Sequence, residues 1–133
     1  MRRLAPWVVS MWLVSLACAD VDRDLPRPYR RLAVPTAVLA SAEARRRGRE
    51  TFDTHCALCH GERGDGYGSR REGLTRPPRA FTDRAWRQST SPRRVFFTIR
   101  EGIRGTPMPA WPGLSEQETW ELTAYVLSLG EGP

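Results

Sequence analysis

An all-α domain is what this 133-residue chain predicts. Three stretches, residues 41–56, 92–102 and 115–130, carry apolar residues at helical spacing between recognisable cap residues. The segments on either side of the Cys56–Cys59 pair show no strict alternation of the kind a half-buried strand requires. At this length there is room for one domain and an N-terminal extension.

The chain opens with Arg2-Arg3 and an apolar run from Leu4 to Ala17, the n-region and h-region of a secretory signal. Fourteen residues are too few to span a bilayer comfortably, so export is expected. The extended context of a twin-arginine signal is missing, which points to general secretion. Ser15-Leu16-Ala17-Cys18 approximates a lipobox, with serine where leucine is usual. On that reading Cys18 is acylated, residues 1–18 form the signal and lipobox region, and the mature protein is anchored to the membrane. The competing reading is ordinary cleavage at Ala17-Cys18-Ala19, which discards the cysteine. Residues 19–40, with Pro26, Pro28 and Pro35 among charges, read as an extended tether reaching on the order of 25 Å as a coil. Alternatively they wrap the domain surface.

Residues 41–130 form the expected domain. Ser41 is an N-cap and Glu43 sits in the first turn of a helix ending near Cys56, with Ala44, Gly48 and Phe52 on one face. Gly48 costs about 1 kcal/mol relative to alanine, so a close approach should compensate. Arg45, Arg46, Arg47 and Arg49 read as a solvated face. Gly61 to Pro78 is a glycine-rich loop, in which the tripeptide Arg63-Gly64-Asp65 is attributed to chance. Ser91-Pro92 opens a short helix that Gly102 closes, with Val95, Phe96 and Ile99 facing the core. The last helix starts at the capping box Ser115 to Glu118 and stops at Gly130. Leu122, Tyr125, Val126 and Leu129 form its stripe, widened by Trp120, Ala124 and Leu127.

Cys56-Ala57-Leu58-Cys59-His60 carries the chemistry. Two thiols three apart followed by an imidazole are what covalent attachment of a c-type haem requires: each thiol adds to a vinyl group, and the adjacent histidine ligates iron. A zinc site lacks ligands, because beyond His60 only His55 and Cys18 remain. A redox dithiol would want a βαβ setting. For the opposite axial position Met108 is favoured by elimination. Met1 and Met11 fall in the signal, all 21 Lys and Arg positions are arginine, which cannot ligate, and His55 is too near His60. Pro107 and Pro109 stiffen its setting, although a methionine filling a core gap in a rigid turn is the competing reading.

The motif, the run Gly105-Thr106-Pro107-Met108-Pro109-Ala110-Trp111 and the C-terminal amphipathic helix together resemble a class I monohaem cytochrome c of the bacterial type, over about residues 41 to 130. The resemblance implies three to five helices packed around one covalent haem, with the N- and C-terminal helices crossing. It also implies that Gly48 and Phe52 pack on Tyr125 or Trp120. In such families haem is attached outside the bacterial inner membrane, which places the protein in the periplasm. The resemblance further implies that a carbonyl of the Pro77-Pro78 pair, with Pro78 as the candidate, fixes the His60 ring. Trp111 is expected to pack on the haem or donate to a propionate, with Arg79 and Arg104 as further propionate candidates beside their reading as solvated surface.

A haem ligated by His60 and Met108 has no open position for a substrate, so outer-sphere electron transfer in a respiratory chain is the expected function, without enzymatic activity. The alternatives are a fixed haem subunit of a larger membrane oxidoreductase, or a haem enzyme or gas sensor with a labile Met108. A single haem motif disfavours a dihaem peroxidase, and its place in the first half of the chain disfavours the cytochromes c′. Removing Arg2 and Arg3 lowers the formal charge from +6 to +4, and two ionised propionates lower it to about +2. The expected partners are therefore redox proteins with an acidic docking face, and not nucleic acid, since the arginines are scattered.

Overall fold

The computed structural model describes residues 20–131. The signal region and Cys18 lie outside the described residues. Among those described there are seven α-helices, one 3-10 turn and no strand. The three longest are the three the cap signals predict: α3 (Ala42–His55), α6 (Pro92–Glu101) and α7 (Glu116–Ser128). The surplus over three to five consists of one-turn pieces, α1 (Arg27–Arg30), α2 (Thr36–Ala40), α4 (Ala57–His60) and α5 (Arg84–Gln88).

Each long helix begins on a side-chain cap. Ser41 accepts from the Ala44 N–H at 3.2 Å, and Ser91 from the Arg94 N–H at 3.1 Å. Ser115 and Glu118 form the reciprocal capping box, leaving neither N-terminal donor orphaned. The buried face of α3 is Ala44, Gly48 and Phe52, as the four-residue recurrence requires. In α7, Leu122 and Val126 are buried, and Trp120 and Ala124 widen the face. Leu129 caps the helix, so it ends just before the expected stop at Gly130.

α3 crosses α7 at Gly48. A Cβ there would lie 2.6 Å from the Glu121 carbonyl carbon and 2.9 Å from the Tyr125 Cβ, so only glycine lets the two backbones meet. Phe52 packs edge-on against Tyr125 at 5.2 Å, whereas Trp120 packs on Phe96 of α6 at 4.3 Å. Of the two aromatics expected to meet α3, Tyr125 is the partner. Arg47 leaves the solvated face assigned to it, because its guanidinium reaches the buried Glu121 carboxylate at 2.8 Å. Gln117 donates to the same carboxylate at 2.9 Å, so the buried charge is both paired and hydrogen-bonded.

Residues 20–40 do not form the extended tether expected of them. They lie on the domain as α1, α2 and their connections, with α1 against α6 and α2 against α7. Arg94 of α6 donates to the Val21 carbonyl at 2.9 Å and pairs with Asp24. Arg93 donates to the Leu32 carbonyl at 2.8 Å, Ser91 bonds Asp22, and Leu25 is buried. The proline signal was accurate for the broken backbone but silent about these bonds. They offset the entropy of ordering the segment. Residues 20–32 are called the strap below.

Replacing Gly48 by alanine is expected to destabilise the holoprotein by about 3 kcal/mol despite the gain in helix propensity, because backbone must move to make room. Denaturant titration followed at the haem band measures this, and a stability equal to wild type would refute the close crossing.

Candidate haem site

The motif is delivered by a joint between two helices. Cys56 ends α3 and precedes the single turn α4, whose ladder starts with the Cys59 N–H and His60 N–H bonding the Cys56 carbonyl at 3.1 and 2.9 Å. Residues three and four apart share a helical face, so this turn gathers Cys56, Cys59 and His60 on one side. All three line a single large cavity. The C-terminal carbonyls of α4, orphans by construction, are satisfied by the loop that follows. Arg70, Gly68 and Gly66 N–H groups bond the Leu58, Cys59 and His60 carbonyls at 2.8, 3.2 and 2.7 Å.

His60 is held from two sides. Its Nδ1 lies 3.0 Å from the Arg79 carbonyl, which can only accept, so Nδ1 carries the proton and the lone pair belongs to Nε2. Its ring stacks on Phe81 at 4.5 Å and 23°. Burial lowers the imidazole pKa, opposed by the Arg79 bond, and the neutral form is the one that ligates metal. The acceptor is thus Arg79, not the expected Pro78. The reason lies in the glycine loop: the Pro78 carbonyl is turned to Gly66, 3.0 Å from the place a Cβ there would take. Pro78 and Pro77 still line the cavity.

Cys56 and Cys59 are half-buried and are not bridged to each other. Burial, then the neighbouring Cys59, pushes the Cys56 pKa up to about 12. Among the described residues no cluster of three His, Cys, Asp or Glu side chains is placed to hold a metal ion.

Met108 lines the same cavity from the loop after α6. Gly102 ends that helix at φ 68°, where a Cβ would lie 2.8 Å from the Met108 carbonyl oxygen and 2.8 Å from the Ala110 nitrogen. The returning loop is fastened by Ile103 N–H to the Met108 carbonyl at 3.1 Å and by Trp111 N–H to the Ile99 carbonyl at 3.0 Å. The Thr106 hydroxyl accepts from the Met108 N–H at 3.2 Å. Trp111 lines the cavity and packs on His55 at 4.9 Å. Arg79 and Arg104 line it too.

The cavity measures about 1670 Å³, above the roughly 300–1,000 Å³ of ordinary small-molecule pockets. Its walls include Phe52, Val95, Ile99, Leu122 and Val126, which are also the hydrophobic core. A close-packed interior does not tolerate such a space facing water, so what belongs there is large and mostly apolar. A porphyrin meets that demand, with two thiols and an imidazole on one wall and a thioether on the cavity lining. The residues fit haem c.

The family profile described as cytochrome c oxidase, cbb3-type, subunit III matches residues 43–126. The chain belongs to this family of c-type cytochromes. It is 39% identical over 93 residues to the cbb3-type cytochrome c oxidase subunit FixP of Azorhizobium caulinodans, a match covering 67% of this chain and 28% of that protein. The chain therefore spans under a third of that relative. Among solved structures it is similar to the Kuenenia stuttgartiensis reducing HAO-like protein complex Kustc0457/Kustc0458, with 31% identity, TM-score 0.59, and coverage of 67% of this chain and 44% of that one. It is also similar to the KustC0563 c-type cytochrome, with 32% identity, TM-score 0.53, and coverage of 62% and 95%. This cytochrome carries covalent haem c with its iron.

Sequence reasoning missed Phe81 behind the histidine, the Arg79 carbonyl, and Pro26 and Tyr29, which also line the cavity.

Gly102→Ala is expected to leave haem attached while weakening or abolishing the near-infrared band of thioether-bound ferric iron, since the new methyl collides with the Met108 loop. An absorption spectrum decides. A Cys56→Ala/Cys59→Ala variant, deprived of the group that completes its core, is expected to lose cooperative melting by circular dichroism.

Proposed function

We propose that this cytochrome is a periplasm-facing one-electron carrier of a respiratory chain, with haem attached through Cys56 and Cys59 and ligated by His60 and Met108. The observation that carries the reading is that one cavity is lined by the Cys56–His60 turn and by the Met108 loop, each fixed by its own backbone bonds. Haem c bound there supplies a one-electron iron couple whose potential a thioether ligand raises. The protein's work is positional. Arg79 sets the His60 tautomer, Phe81 braces the ring, and Gly102 with Ile103 holds the methionine loop in place. With both axial positions taken by side chains there is no site for a substrate, and we read the protein as a carrier rather than an enzyme.

Export and membrane attachment belong to the same proposal. No helix among the described residues is long and apolar enough to cross a membrane. The attachment we propose is an acylated Cys18 at the mature N-terminus, argued from the lipobox-like Ser15-Leu16-Ala17-Cys18. The second reading is a fixed haem subunit of a membrane oxidoreductase, with redox proteins as its partners. It is favoured by the similarity to FixP and to the HAO-like complex, and by the strap, which is bound down where a swinging shuttle would want free chain.

Met108→Ala is expected to remove the near-infrared band and let the ferrous protein bind carbon monoxide rapidly, while wild type keeps the band and binds it slowly. A band that survives the substitution rules Met108 out as ligand. Mass spectrometry of the mature N-terminus, finding a diacylated Cys18, checks the anchor. Recovery of the detergent-extracted protein in a stable complex distinguishes subunit from carrier.

A further inference from the structure

We infer that the strap is part of the haem site, with Pro26 and Tyr29 forming a wall that shields the haem from water on the α6 side. The inference rests on the haem reading of the cavity given above. Both residues line that cavity next to Phe97, Thr98 and Glu101 of α6. The Tyr29 ring meets Phe97 edge-on at 4.8 Å and lies 6.4 Å from Phe96. Its hydroxyl donates to Glu101, and burial, then Glu101, raises its pKa, so the phenol stays a neutral donor. Tyr29 is therefore pinned at the ring and at the hydroxyl, and neither bond is made to another part of the strap.

The strap itself is tied to α6 at both ends of this wall. Val21, Asp22 and Asp24 are bonded by Arg94, Ser91 and Arg94 on one side, and the Leu32 carbonyl by Arg93 on the other. The same helix supports the methionine loop through Gly102. A plain structural brace would need the polar ties and the buried Leu25, but it would not need an aromatic turned to the cavity. The strap also lies outside residues 43–126, so family membership does not account for it.

Water close to a haem stabilises the more highly charged ferric iron, so a wall that excludes water favours the ferrous form. Tyr29→Ala in the full-length holoprotein is expected to lower the ferrous-to-ferric ratio at a fixed mediator poise by about threefold, with the near-infrared band retained. Tyr29→Phe keeps the ring and is expected to stay at the wild-type ratio. If the alanine variant does not accumulate, Tyr29→Val carries the same expectation with a smaller fall. An unchanged ratio in the alanine or valine variant overturns the inference. So does an equal fall in the phenylalanine variant, which would assign the effect to the Glu101 bond, or loss of the band, which would assign it to the seat of Met108. Wild-type protein lacking the band fails the ligand assignment before any strap variant is measured, so the two failures are distinguishable.

Discussion

The contact of α3 with α7 at Gly48 is the constraint from which the rest of the domain follows. Because the two backbones touch there, the helix carrying the cysteine motif is fixed in position two turns before its end. Phe52, one turn on, enters the core against Tyr125, and Cys56, one turn further, reaches the cavity edge. A looser crossing would still bury apolar area, but it would leave the thiols free to drift relative to the core. The Arg47–Glu121 pair adds register to the same contact. A buried carboxylate satisfied by one guanidinium and one amide accepts few alternative alignments.

The second support is independent of the first. The methionine loop hangs on the C-terminus of α6, where Gly102 admits backbone that any side chain would displace. The Cys56–His60 turn and the Met108 loop, on separate supports, can hold their spacing only if α3, α6 and α7 keep theirs, and Phe96 on Trp120, with Val95 and Ile99 in one core cluster with Leu122 and Val126, couples α6 to α7. Fixed ligands are useful to an electron carrier because little need rearrange when iron changes charge.

What the sequence disclosed and what it withheld divide along physical lines. α3, α6 and α7 were legible because side-chain caps and the 3.6 period are properties of residue types. α1, α2 and α5 span four or five residues, too short for any period to be expressed. The Cys56–His60 motif was legible from its chemistry, and Met108, singled out by elimination, lines the same cavity. The acceptor on His60 was missed by one residue, because a carbonyl belongs to every residue and which one turns inward is decided by the Gly66 loop. Arg47 looked like its neighbours in the arginine run, and only the crossing shows that it alone faces Glu121 at short range.

The strap bears on how such a cytochrome meets its partners. Three peptide steps separate Cys18 from Val21, which Arg94 holds, and fully extended they reach on the order of 11 Å. An acyl chain on Cys18 would then keep the domain close against the lipid surface, since the proline-rich length that might have served as a leash is spent on α6 and α7. A domain on so short a connection samples few orientations and gains effective concentration toward a neighbour already in the membrane. It loses the reach needed to visit distant ones. Such an attachment would suit the second of the two proposed readings, a stationary relay within an assembly, and a carrier so attached would serve only neighbours within short reach, because the strap is bound to the domain along its length.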